Sequence, residues 1–81
     1  MDADTVKTRK KALCARLARI EGQIRGLQKL INMQAEPEKI SQQMAAARKA
    51  LDKAFFAMVA DLMANDQISP TKAADLLLRF A

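Results

Sequence analysis

The chain has 81 residues and a formal net charge of +5, and 51% of it is hydrophobic although tryptophan and tyrosine are absent. One domain, 1–81, is all that this length supports, and so short a chain buries only roughly 60–65% of its unfolded surface, so apolar content this high predicts oligomerisation. The single cysteine excludes a disulfide framework, the lack of histidine argues against an enzyme, and the basic balance points to a polyanion, nucleic acid before an anionic membrane surface.

The first predicted element is one long helix from Asp4 to about Gln34, with Asp4 or Thr5 as its cap. Leu13, Leu17, Ile20, Ile24, Leu27 and Ile31 alternate spacings of four and three, which is a sustained heptad-like seam. Eight basic residues fall between Lys7 and Lys29, against one acid, Glu21. On a helical wheel Arg9, Arg16 and Gln23 share one line, with Arg19 beside it and Ala12, Ala15, Gly22 and Gly26 filling the positions around them. Long cationic side chains set among very small ones would let a phosphate backbone come close, and the planar guanidinium suits phosphate or guanine edges. The plainer reading is a solvated basic face, with the two glycines only letting helices pack. Isolated glycines cost a helix about 1 kcal/mol each relative to alanine. Cys14, beside the seam, reads as a small buried hydrophobe.

"AEPEK" interrupts the pattern, and Pro37 suits the first turn of a second helix from about Pro37 to Ala64. Ile40, Met44, Ala47, Leu51, Ala54 and Met58 repeat the four-three spacing, and Phe55, Val59, Leu62 and Met63 widen the apolar face enough for more than one partner helix. Lys49 and Lys53 lie one turn apart, while Arg48 stands four residues before Asp52 and can pair with it. After the "NDQISP" turn, Ser69 is a good N-cap and Pro70 a good first residue for a third helix to about Phe80, with Leu76, Leu77 and Phe80 on its apolar side. Three helices, two of them long and antiparallel, give an all-α fold. Apolar faces on two sides make a four-helix-bundle dimer the natural unit. No run of residues is long and apolar enough to span a membrane.

"RLARIEGQIRGLQKLI", Arg16 to Ile31, resembles the opening-helix signature of the CsoR/RcnR/FrmR transcriptional repressors, roughly R-L-x-R-I-x-G-Q-x-x-G. "QMAAARKAL", Gln43 to Leu51, resembles that family's second-helix pattern, and the two stand in the family's register without a gap. The resemblance covers about residues 6 to 66. It implies a dimer of dimers that binds operator DNA without a helix-turn-helix. Carried over by motif, Arg16 and Arg19 face the DNA, with Arg48 and Lys53 as weaker candidates; Arg9, Gln23 and Lys49 join them from the pattern of the residues.

The chain departs from the family at the sensor. Metal-sensing members carry a cysteine at the start of the second helix, a histidine near its end, and a cysteine or histidine one turn later; Pro37, Leu62 and Asp66 stand at the matching positions. The formaldehyde-sensing branch adds an N-terminal proline where this chain has Asp2, and the persulfide-sensing branch needs two cysteines. Cu(I) and Ni(II) call for thiolate or imidazole ligands, so neither metal nor cofactor is expected. Glu36, Glu38, Asp61 and Asp66 read as solvated or capping acids, and Met33, Met44, Met58 and Met63 as core filling. The resemblance, with its departure at the sensor, implies a cytoplasmic, homo-oligomeric DNA-binding repressor without the family's sensor chemistry. The rivals are a helical interaction protein, for example one forming mixed oligomers with a sensing paralogue, and a peripheral membrane module, which the lack of aromatic anchors disfavours.

Overall fold

A computed structural model describes residues 3–81 as three helices, α1 (Ala3–Asn32), α2 (Pro37–Ala64) and α3 (Pro70–Phe80), with no strand among the described residues. Asp2 lies outside the described residues. The helix boundaries have local causes. α1 is already under way at Ala3, so Asp4 sits in the first turn rather than capping it. Its charge there suits the positive end of the helix dipole. α1 closes at Asn32 because Gln34 takes a left-handed conformation, φ 56°. The Gln34 amide then donates to the Ile31 carbonyl at 3.1 Å and the Ala35 amide to the Leu30 carbonyl at 3.0 Å. This is the Schellman arrangement, which satisfies carbonyls the helix end leaves open. α2 starts on Pro37 and ends in the same way. Asp66 takes φ 57° and donates to the Met63 carbonyl at 3.2 Å, and Gln67 donates to the Leu62 carbonyl at 2.9 Å. The start of α3 matches expectation: the Ser69 hydroxyl accepts from the Lys72 amide at 3.0 Å, with Pro70 at the first helical position.

α1 and α2 form an antiparallel hairpin. The Gln43 Nε2 donates to the Gln23 carbonyl at 3.2 Å, and an ion pair joins Arg9 Nη1 to Asp61 Oδ1 at 3.7 Å. α3 turns back to pack on α2, so α2 does serve two partner helices, as its wide apolar face predicts. The buried hydrophobic residues are Ile20, Ala47, Ala54, Val59 and Ala73. Ala73, rather than Phe80, is the residue that α3 buries; Phe80 and Leu78 are 65% and 86% exposed.

The three helices make a single layer. The Cα envelope measures 48 × 29 × 11 Å, about one helix thick. The radius of gyration is 16.1 Å, against about 12 Å for a compact chain of this length. The accessible surface is 6381 Å², about 1,500 Å² more than the size scaling gives for a compact 9.0 kDa monomer.

Half of the expected α1 seam and a third of the expected α2 seam are therefore open. Leu17, Ile24 and Ile31 on α1, with Met44 and Leu51 on α2, are between 37% and 51% exposed. Their places against the partner helix go to half-buried Arg9, Gln23 and Leu30 on α1 and to Gln43 and Ala50 on α2. A four-three repeat builds a stripe wide enough for two neighbours, and the hairpin covers one flank of it. Cys14, expected in the core, is exposed, because it stands one turn from Leu17 on the uncovered side.

The two helix ends make a stability test. A non-glycine residue in the left-handed region is strained, so Gln34→Gly is expected to stabilise the fold by about 0.5–1 kcal/mol after the glycine's extra unfolded-state entropy. Ser69→Ala removes a capping bond and is expected to destabilise by about 1 kcal/mol. Urea unfolding at one fixed protein concentration measures both, since assembly couples concentration to apparent stability.

Candidate nucleic-acid interface

The flank of the hairpin away from the open apolar line carries Arg16 and Arg19 of α1 and Lys49 and Lys53 of α2. Arg16 and Arg19, with Ala12 between the turns, border a shallow concavity whose other wall is Ala57, Met58 and Asp61 of α2. Both arginines are exposed, and neither enters an ion pair or hydrogen bond among the described residues. On α2, Lys49, Lys53 and Ala57 follow one another by four residues, so the two lysines extend the same strip along the groove. The small residues keep its walls low.

The expected stripe divides in two. Arg16 and Arg19 stay free at the groove edge, whereas Arg9 and Gln23 turn into the helix contact and are half-buried. Arg9 is held by Asp61, and its Nη1 is buried without a hydrogen-bond acceptor. The Gln23 Oε1 is likewise buried without a donor. The cause is the antiparallel register: positions 9, 16 and 23 border the Leu13–Ile20–Leu27 seam, and at 9 and 23 a facing residue of α2 is within reach. Arg48 does not join the groove. It lies four residues after Met44 and three before Leu51, beside the open apolar line, and forms no ion pair with Asp52.

Packing within the hairpin does not require either glycine. A Cβ on Gly22 would meet nothing within 4 Å, and one on Gly26 would touch only the Gln43 Nε2, at an ordinary 3.6 Å. Gly22 follows Arg19 by three residues, so the space it leaves open adjoins the free arginines. Arg25 is the basic residue of α1 that does pair along its own helix, with Glu21 at 3.8 Å, and both partners are well exposed. Such a pair contributes at most about 1 kcal/mol.

The three positions matching the family's ligands do not meet within one chain. Pro37 opens α2 and Leu62 lies near its end, about 38 Å away along the helix. Leu62 is half-buried, and Asp66 is exposed on the left-handed turn. Among the described residues no group of three or more His, Cys, Asp or Glu could hold a metal ion. No helix among them is long and apolar enough to cross a membrane. One residue of consequence is not visible from the sequence: Asp61, which borders the groove and also holds Arg9. Its role arises from a contact across 52 positions of chain, and no local pattern marks it.

No curated protein and no solved structure matches the chain. Residues 9–77 match the family model described as metal-sensitive transcriptional repressor. The match takes in the free arginines, the groove and all of α2, well over half of the 81 residues, and the chain belongs to the metal-sensitive transcriptional repressor family.

Proposed function

We propose that the protein is a DNA-binding transcriptional repressor that works as a homo-oligomer and lacks the family's metal or formaldehyde sensor. The observation that carries this reading is the pair of exposed, unpartnered arginines, Arg16 and Arg19, on a low-walled groove. Duplex DNA docks on that flank, with Lys49 and Lys53 extending the contact along α2. Arginine–phosphate contacts position the protein, and any base reading comes from the guanidinium forks. Arg9 supports the groove through Asp61 rather than touching DNA, and Arg48 stands aside. The reading places the protein in the cytoplasm, as one domain over 1–81.

The opposite flank supports assembly. Leu17, Ile24, Ile31, Met44 and Leu51 form an apolar strip that a second hairpin would cover, giving a four-helix bundle. A stable interface takes about 800 Å² from each partner. The surplus surface of the chain exceeds that, which leaves room for a second interface and a dimer of dimers. Leu78 and Phe80 of α3 are candidates for it.

Light scattering at micromolar concentration is expected to show a dimer or tetramer, and Leu51→Glu, which puts a charge on the strip, is expected to shift it toward monomer. A stable folded monomer of the parent chain would refute the assembly.

For DNA, a bound sequence is first selected from a random duplex pool and affinity is then measured across a salt titration. Arg16→Ala and Arg19→Ala are each expected to reduce the slope of log K against log salt by about 0.9 for every phosphate that the variant no longer neutralises, multiplied by the number of copies on the DNA. Circular dichroism should stay unchanged, since both side chains stand off the core. If both variants bind like the parent at every salt concentration, the arginines are a solvated face and the interaction-protein reading takes over.

Competition titration with Cu(I), Ni(II), Co(II) and Zn(II) is expected to find no stoichiometric sub-micromolar site, because Pro37, Leu62 and Asp66 supply at most one carboxylate between them. A tight site would instead implicate Cys14, the only thiol.

A further inference from the structure

Arg48 and Asp52 have no task in the groove or in the hairpin. They stand one turn apart on α2, both are exposed, and neither forms an ion pair or hydrogen bond among the described residues. A base placed four residues before an acid is the less favourable order for pairing along one helix. Both adjoin the open apolar line, Arg48 between Met44 and Leu51 and Asp52 directly after Leu51. They also straddle the middle of α2, Pro37–Ala64, since residue 50 lies midway between the two charges and beside the helix centre.

We propose that the open strip is a recognition surface for a second copy of this chain, in which the two α2 helices lie antiparallel and centred near residue 50, and Arg48 of each copy pairs with Asp52 of the other. This rests on the homo-oligomer reading and adds to it the axis, the register and the residues that select the partner. A two-fold interface brings residue i against residue j and j against i. An arginine and an acid placed evenly about the axis therefore make two ion pairs.

The apolar residues fit the same axis. Turning α2 end for end sets Met44 against Phe55 of the second copy, and turning α1 the same way sets Leu17 against Ile24. The midpoint of the first pair falls between residues 49 and 50, and that of the second between residues 20 and 21. These two points stand level in the hairpin, in the register that the Arg9–Asp61 and Gln23–Gln43 contacts fix. One axis perpendicular to both helices thus serves both. An axis running along the helices fits less well. It would bring Arg48 to Glu21 of the second copy, but Glu21 already has Arg25 at 3.8 Å, and Asp52 would be left without a partner. The area suffices, because the chain's surplus surface exceeds the roughly 800 Å² that each partner gives to a stable interface. Ion pairs at the edge of an apolar strip add little affinity, whereas like charges placed there exclude a wrong partner. The pair selects this chain over another hairpin with a similar apolar strip and a different charge order.

The test uses the full chain and sedimentation across a concentration series. Arg48→Asp and Asp52→Arg each place like charges opposite one another, and each is expected to weaken self-association at least about tenfold. Mixing the two single variants re-forms both pairs with the charges sorted onto separate chains. Parent-like association as a one-to-one heteromer is expected, which also shows that neither variant is misfolded. Arg48→Asp combined with Asp52→Arg in one chain should self-associate like the parent. Glu21→Arg should leave association unchanged and should not rescue Arg48→Asp on mixing. Single variants that associate like the parent, a mixture no tighter than its components, or rescue by Glu21→Arg would each overturn the pairing while an oligomeric parent keeps the homo-oligomer reading. A monomeric parent would refute that reading and the pairing with it.

Discussion

A layer of helices one helix thick cannot shield itself from water, and that constraint governs the rest of the molecule. With an envelope 11 Å deep, every residue of the hairpin is either in the narrow line between α1 and α2, under α3, or on one of two open flanks. The buried residues reflect this: three of the five are alanines. Such a core buries little apolar area, and at roughly 25 cal/mol per Å² little burial means little stability. The larger side chains, Leu17, Ile24, Ile31, Met44 and Leu51, are placed where a second molecule can reach them. Much of the protein's large apolar side-chain surface is thus directed outward, and in the proposed assembly the folding of one chain and its association would be parts of one process.

The charges follow the same geometry. α1 carries most of the positive charge, and the acids of α2 are too few to balance it. Asp61 is the one that crosses the hairpin, and it takes Arg9. Arg16 and Arg19 are left without a partner among the described residues. Neighbouring cations on one helix face repel each other, and a polyanion relieves that repulsion while releasing its own counterions. Two alanines beside them, Ala12 and Ala57, hold the groove walls low, which matters because a phosphate must approach within hydrogen-bond distance for the guanidinium fork to act.

The sequence makes the element boundaries legible wherever a boundary is written in residues with one strong conformational preference. Pro37, Ser69 and Pro70 each restrict the backbone, and α2 and α3 begin where those residues say. The end of α1 is harder to read because Gln34 has no left-handed preference of its own; it accepts that conformation because the Schellman bonds and the following Pro37 leave no better one. The seam is legible in period but not in phase. A four-three repeat states that a helix has a partner, and two overlapping repeats cannot say which flank the chain's own neighbour covers. For that reason the pattern puts Cys14 and Leu17 inside, and Arg9 and Gln23 outside, where the fold does the reverse. Arg16, Arg19, Lys49 and Lys53 stand out by local pattern and remain together on one strip, whereas Arg48 parts from them because a single residue step turns about 100°. Asp61 can be found only once the register is known.

The two open flanks lie on opposite sides of the Leu13–Ile20–Leu27 seam, and this separation has a consequence for the proposed mechanism. Adjacent residues Arg16 and Leu17 fall on different flanks, so covering the apolar strip with a second hairpin leaves the basic groove uncovered. A two-fold dimer built that way repeats the groove once per copy. Each phosphate contact made by one chain is then made again by its partner, and the salt dependence of binding grows with the assembly while the local geometry stays the same. A single chain with two free arginines would be a weak, nonspecific ligand for DNA. In the proposed assembly the same arginines would be held at a fixed spacing, and the second contact would be made at high effective concentration. Under the proposed function the apolar strip would act on affinity without touching DNA, by setting how many grooves meet the duplex at once and the distance between them.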